Sequence, residues 1–575
     1  MDLVIRNGTI YDGTGGAPCT GDIGIEGDTI AEVGRVAARG KREIDADGAI
    51  VTPGFIDLHT HFDGQATWDS YLAPSSHHGV TSLVMGNCGV GFAPARPGEA
   101  EHQWLIGLLE GVEDIPGTAL AEGLPWDWES FPDYLDALAR RRYAVDLGAQ
   151  VPHAALRTYV MGRRGADAEA QASGEDIAAM RRLAREALEA GALGFTTSRT
   201  FVHRTRDGEN IGTYRAPAEE LLGVAGALAD AGRGVMQLIT DAYVTEDLAF
   251  RDAEIALVEA VARTIRRPLS FTVQQPDLAA GRWRELFDFV GRANAAGLDI
   301  KAQVAPRPIG VLLTHQGSLT PFIFCRAFQR TMRLPLAERV AALRDPALRA
   351  TILAELRASR EFLVGLDRWP WERMFPLSDP PDYEPSAADS VAALAAAQGV
   401  PADEYAYDYL LGDDGRAMLY CPLHNYVDGS LDVVREMLTF PHSLLALSDA
   451  GAHCGVICDA SFPTTTLALW GRDRSRGEGL PLEFLVQRLT RRNAEQVGWL
   501  DRGLLRPGLL ADVNVIDFDK LRCRAPHIVH DLPAGGRRLV QEADGYRCTV
   551  KRGTVTFENG KPTGELPGSL VRGTA

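Results

Sequence analysis

The chain has 575 residues, 45% of them hydrophobic and 7% aromatic, more than one ordinary domain needs and enough for a large buried core. Its 59 Lys and Arg against 77 Asp and Glu give a formal net charge of −18, which argues against nucleic acid as a partner, because releasing counterions from phosphates needs a basic stripe. An acidic surface leaves the substrate open, since one Arg inside a pocket overrides the global field locally.

From the N-terminus, Met1-Asp2-Leu3-Val4-Ile5-Arg6 lacks the basic-then-apolar order of a signal peptide. Short β-rich runs at 3–5, 8–11, 22–26 and 30–33, punctuated by Asn7-Gly8 and Gly27-Asp28, predict an all-β unit over residues 1–50. Eight apolar runs follow at 50–57, 80–85, 145–151, 193–197, 234–238, 269–273, 299–304 and 444–448. Helical patterns such as 178–190 and 218–231 lie between them, so the fold class is α/β, a (β/α)8 TIM barrel over residues 51–505. Two stretches exceed a minimal repeat, at about 94–137 and 309–441, and read as lid-like insertions over the barrel mouth. β texture returns at 512–516, 546–551 and 554–558, so residues 506–575 are expected to pair with 1–50 into a small β-sandwich. No apolar run approaches the roughly 18 residues of a membrane helix. The eight cysteines form no paired CxxC framework and point to a reducing compartment. The expectation is a cytoplasmic homo-oligomer with no membrane partner.

Functional groups of such barrels sit at the C-terminal ends of the strands. Strand one ends Asp57-Leu58-His59-Thr60-His61. Residues two apart in an extended segment face one side, so His59 and His61 are placed to offer two imidazoles to one metal; the plainer alternative is two satisfied histidines near a turn. Strand two ends Met85-Gly86-Asn87-Cys88-Gly89, and a thiolate there is a strong zinc donor, although a buried free Cys is often a small hydrophobe. Strand eight ends Ser448-Asp449-Ala450-Gly451-Ala452-His453, where Asp449 is the candidate metal ligand and catalytic proton shuttle, or else a residue opening a turn. Arg307, after strand seven, and His153, after strand three, are candidate substrate-binding groups; a structural Arg is the alternative for the first.

These residues carry a resemblance. Gly54-Phe55-Ile56-Asp57-Leu58-His59-Thr60-His61, Asp449 and Gly508-Leu509-Leu510-Ala511-Asp512 resemble the amidohydrolase superfamily. Met85-Gly86-Asn87-Cys88-Gly89-Val90-Gly91-Phe92-Ala93-Pro94, with Gly191-Ala192-Leu193-Gly194-Phe195, resembles its N-acyl-D-amino-acid deacylase branch. The resemblance implies a barrel plus β-sandwich, a zinc centre and hydrolysis of an N-acyl bond. It places metal ligands at His59, His61, Cys88 and Asp449, with Asp449 also catalytic. It further implies histidine ligands at the ends of strands five and six, where this chain carries Gln237 and Gln274 nearby and no histidine. A neutral amide is a poor zinc donor, so one ion is expected. The predicted activity is attack of metal-activated water on the amide carbonyl of a small molecule. The alternatives are hydrolysis of a cyclic amide, carbamate or lactone, and a non-catalytic barrel serving as a binding or assembly subunit.

Overall fold

In a computed structural model the protein is described over residues 1–359 and 368–573. Residues 360–367, inside the second predicted insertion, and 574–575, at the end of the predicted C-terminal segment, lie outside the described residues. Eight parallel strands form the barrel, in sequence order one to eight: Phe55–Asp57, Val80–Met85, Asp146–Pro152, Gly194–Arg199, Val235–Thr240, Leu269–Thr272, Ile300–Val304 and Ser443–Leu445. All are buried on both faces apart from a half-buried Lys301, which is why they read as continuous apolar runs rather than as alternation. Helices Gly174–Glu189, Ala218–Ala231, Leu248–Ile265 and Arg282–Ala295 wrap the outside. Ser173 starts the first with a reciprocal capping box to Asp176, and Asp247 caps the third through the amides of Ala249 and Phe250.

The seam that closes the barrel runs between strands one and eight. Thr60 bridges Ala450 in parallel, His61 N donates to Ala450 O at 2.8 Å, and Asp449 N donates to His59 O at 3.2 Å. Closure therefore sets the two histidines against the aspartate. Strand eight stops at Leu445, shorter than the apolar run suggests, because Leu447 (φ 67°) and Asp449 (φ 46°) take left-handed backbone that breaks a strand.

The predicted run 50–57 divides at Gly54. Ile50–Pro53 pairs with Leu3–Ile10 and Val513–Ile516 in the terminal β-unit, and Phe55–Asp57 enters the barrel. A Cβ on Gly54 would lie 2.1 Å from Thr81 Oγ1, so only glycine passes between the two units. Both chain ends pair as the β texture predicts, in one continuous nine-stranded sheet around its own core of Ile5, Ile23, Ile25, Val513 and Val550. Asp146 of barrel strand three bolts this unit to the barrel through Lys551 at 2.8 Å and Arg502 at 2.7 Å, all three buried.

Not all of 506–575 joins the sheet. The ribbon His527–Leu532 with Gly536–Val540 reaches the barrel mouth, where Leu539 N donates to Cys454 O at 2.6 Å, and 568–571 pairs with Tyr143 and Leu147 on the barrel. The first insertion folds as helices Glu99–Glu113, Gly117–Gly123 and Phe131–Ala139. The second carries an antiparallel sheet of Ile309–Leu313, Phe375–Pro376 and Leu419–His424 over a separate core that includes Phe322, Phe328 and Tyr407. It docks at the end of strand six, where Asn425 N donates to Gln275 O at 2.8 Å and Gln275 N to Asn425 Oδ1 at 2.7 Å. Among the described residues, no helix is long and apolar enough to cross a membrane.

Candidate metal centre

The fold brings His59, His61 and Cys88 together, with donor atoms all within 4.8 Å of one another and every side chain buried. His59 Nε2 lies 3.2 Å from Cys88 Sγ and 3.2 Å from Asp449 Oδ1, and His61 Nε2 lies 3.7 Å from the same oxygen. Two imidazoles and a sulfur thus cluster, with a carboxylate beside the histidines, a donor set suited to zinc. Asp449 is the partly open member, its side chain 20% exposed against 1% for each histidine.

The cysteine is presented by a strained turn. Cys88 itself is left-handed (φ 54°) between Gly86 (φ 82°) and Gly89 (φ 68°). A Cβ on Gly86 would meet Gln150 O at 2.3 Å, and one on Gly89 would meet Thr197 Cα at 2.7 Å. Gln237, on strand five, accepts from Cys88 N through Oε1 at 3.1 Å and holds this turn, and its buried Nε2 has no partner. Gln274 keeps a buried Oε1 without a partner.

Burial and like charge shape the protonation of the centre. Burial lowers His61 to about 4 against the pull of Asp449, so its imidazole is neutral and able to donate a lone pair. Burial alone would raise Asp449, but His59 and His61, with His453, more than reverse it and hold the carboxyl well below its ordinary range. Burial, then Glu113, Asp449 and Asp63, push the Cys88 thiol well up. A bound cation removes that conflict, since thiolate and carboxylates would then share an opposite charge. The residues present fit a divalent metal.

Three neighbours were not visible as site residues in the sequence. Gln303 of strand seven accepts from His59 Nδ1 at 2.7 Å and donates through Nε2 to Ser270 Oγ at 2.9 Å. Glu113, the last residue of the first insertion helix, is buried with Oε1 3.3 Å from His61 Nδ1 and Oε2 3.7 Å from His453 Nε2. His203, after strand four, is hydrogen bonded to Ser198 Oγ and lies in the field of His61 and His453.

The two expected substrate-binding residues are placed otherwise. Arg307 is buried, paired with Asp459 at 2.8 Å, donating to Cys458 O at 3.1 Å and stacked 3.7 Å over the Tyr383 ring. His153 is buried with Nδ1 2.8 Å from Thr197 Oγ1 and Nε2 3.2 Å from Glu220, which Arg157 also holds at 2.8 Å. Each thus sits among protein partners, with Arg307 Nε and His153 Nε2 left without a hydrogen bond.

The amidohydrolase family model matches residues 42–557. The chain belongs to the amidohydrolase family. D-aminoacylase of Alcaligenes xylosoxydans xylosoxydans is 27% identical over 591 residues, covering 100% of this chain and 98% of that protein. Among solved structures, a D-aminoacylase described as having a binuclear metal centre, with one-metal activation and second-metal attenuation, superposes with a TM-score of 0.66 at 24% identity over 99% of each chain. The N-acyl-D-glutamate deacylase of Bordetella bronchiseptica, solved with zinc and a phosphonate mimic of the tetrahedral intermediate, gives 0.64 at 24% identity, over 100% of this chain and 99% of that one. For this amidohydrolase those two likenesses establish the barrel and its β-unit.

Proposed function

We propose that this amidohydrolase is a D-aminoacylase-like enzyme that uses a single zinc ion to hydrolyse the N-acyl bond of an acylated amino acid. The observation that carries the reading is the cluster of His59, His61 and Cys88 donors at the C-terminal end of the barrel, all within 4.8 Å of one another, with Asp449 Oδ1 3.2 Å from His59 Nε2 and 3.7 Å from His61 Nε2. The full-length relative that cleaves such bonds supports the substrate class. When bound, the metal lowers the pKa of water and polarises the substrate carbonyl. Asp449 takes the proton of the attacking water on its carboxylate and returns it to the leaving nitrogen. Its position on the open side of the centre lets one carboxylate face both water and substrate. His59 and His61 would hold the ion through their imidazoles, and Cys88 would supply a thiolate from its left-handed turn. A cytoplasmic location is part of the same proposal, supported by eight cysteines that are all free, and a homo-oligomer is proposed with it because such assemblies are common.

The test is a panel of N-acyl amino acids of both hands, alongside cyclic imides, carbamates and lactones, assayed with zinc-loaded protein. Turnover of the N-acyl-D compounds is expected. Turnover confined to the cyclic substrates, at one zinc per chain, would replace the substrate class while keeping the centre.

A further inference from the structure

We infer that Glu113 is a positioning residue for the metal centre, accepting the Nδ1 proton of His61 so that the Nε2 lone pair of that imidazole faces the ion. The inference rests on the metal reading of the site and adds a residue from the first insertion to it.

His59 shows the arrangement complete. Its Nδ1 hydrogen bonds to Gln303 Oε1, and the Gln303 amide is oriented by the bond its Nε2 gives to Ser270 Oγ, so His59 carries its proton on Nδ1 and turns Nε2 toward Cys88 and Asp449. His61 is laid out the same way around, with Nε2 toward Asp449 and Nδ1 toward Glu113 Oε1. Both of those last atoms are buried, and neither makes a hydrogen bond, because their approach is close but not aligned. Leaving both unmet is costly, and at 3.3 Å a small turn of either side chain completes the bond between them. A carboxylate behind a ligating imidazole fixes its tautomer and raises its basicity.

The placement of Glu113 also runs against local preference. It ends the helix Glu99–Glu113, where the dipole disfavours an anion and where no basic residue stands in the last turn. That end is pinned to the loop carrying Asp449: the His453 amide donates to Glu113 O, and the Gly455 amide donates to Asp114 Oδ2 at 2.9 Å. The first insertion therefore does more than cover the barrel. It delivers an acceptor to His61 and braces the Asp449 loop with the same turn.

The experiment compares metal-free full-length parent, E113Q and E113A by Zn2+ titration against a competing chelator, with thermal unfolding to confirm folding and Co2+ absorption spectra to report the ligand set. A positioning acceptor predicts that E113A weakens Zn2+ about tenfold to a hundredfold. E113Q, which keeps an amide oxygen as Gln303 does for His59, should stay within about threefold of the parent, with an unchanged Co2+ spectrum. Equal loss in E113Q and E113A with an altered Co2+ spectrum would make Glu113 a direct ligand and overturn the inference. Parent-like affinity in E113A would overturn it as well. These readouts need no substrate, so a wrong substrate class leaves them untouched.

Discussion

The Nδ1 of His59 donates to Oε1 of Gln303 across the barrel from strand one to strand seven, at 2.7 Å. One hydrogen bond thereby ties a proposed metal donor to the barrel interior and selects its tautomer. Gln303→Leu removes the acceptor and leaves a buried imidazole N–H unmet. It is expected to weaken Zn2+ binding about tenfold to a hundredfold and to cost about 1 to 3 kcal/mol of stability. Gln303→Glu retains an acceptor and should bind zinc more tightly than the Leu variant. Chelator competition and denaturant unfolding measure both effects. Equal zinc affinity in the two variants would show that the amide oxygen is irrelevant to His59.

Asp449 is asked to ligate and to move a proton, and Asn separates these roles because it keeps an oxygen but cannot accept the proton. Asp449→Asn should retain most of its zinc by elemental analysis, while kcat falls by about 10² to 10⁴, the range of general acid–base assistance. Near-parental kcat in a zinc-loaded Asn variant would remove Asp449 from the chemistry.

Gly89 is a position where shape alone holds the cysteine. A methyl there meets the backbone of Thr197 and Ser198 at 2.7 and 2.9 Å, and its φ of 68° is unfavourable to any L side chain. Gly89→Ala should cost about 2 to 5 kcal/mol, from left-handed strain plus overpacking, and should displace Cys88 enough to weaken zinc. Gly27, with φ 59° and nothing within 4 Å of an added methyl, is the matched control. Gly27→Ala should cost only the backbone term, about 1 to 2 kcal/mol, and leave zinc affinity unchanged. Thermal unfolding and zinc titration of the pair distinguish clash from strain.

The barrel was legible because parallel strands buried on both faces leave uninterrupted apolar runs, and every one of the eight predicted runs overlaps an observed strand. The division of the first run at Gly54 was not legible, since Ile50–Pro53 and Phe55–Asp57 are equally apolar and only the contact with Thr81 separates them. His59, His61, Cys88 and Asp449 stood out because strand ends select the residues that can meet. Glu113 did not, because the acidic end of an insertion helix has the same texture as any solvated helix, and only the tertiary fold carries it under His61. For Arg307 and His153 the sequence shows a residue type suited to substrate and hides their contacts with Asp459 and Glu220. A weak cue existed for Gln303: a polar residue inside the apolar strand Ile300–Val304 must find a buried partner.

His78 offers a pH test away from the metal centre. It is fully buried, with Nε2–H donating to Gln541 O at 2.9 Å and Nδ1 hydrogen bonded to Thr464 Oγ1 at 2.8 Å. Burial, with smaller contributions from His77 and Arg307 and against the Gln541 bond, lowers its pKa from 6.5 to about 3. Between those values the unfolded chain binds a proton that the folded chain refuses. The stability this side chain contributes is therefore complete above pH 6.5 and is lost as pH falls toward 3, at about 1.4 kcal/mol per pH unit. His78→Asn removes the titrating group along with one or both hydrogen bonds, so at pH 8 it should be less stable than the parent by about 1 to 3 kcal/mol. Below pH 6.5 the parent loses ground and the variant does not, and by pH 5 the gap should have narrowed by about 2 kcal/mol. The other buried histidines, among them His315 and His424, titrate in both proteins and cancel in the difference. Denaturant unfolding of the metal-free pair at pH 8, 6.5 and 5 reads the gap directly, and a gap that does not change with pH would mean that His78 already carries its charge in the folded protein.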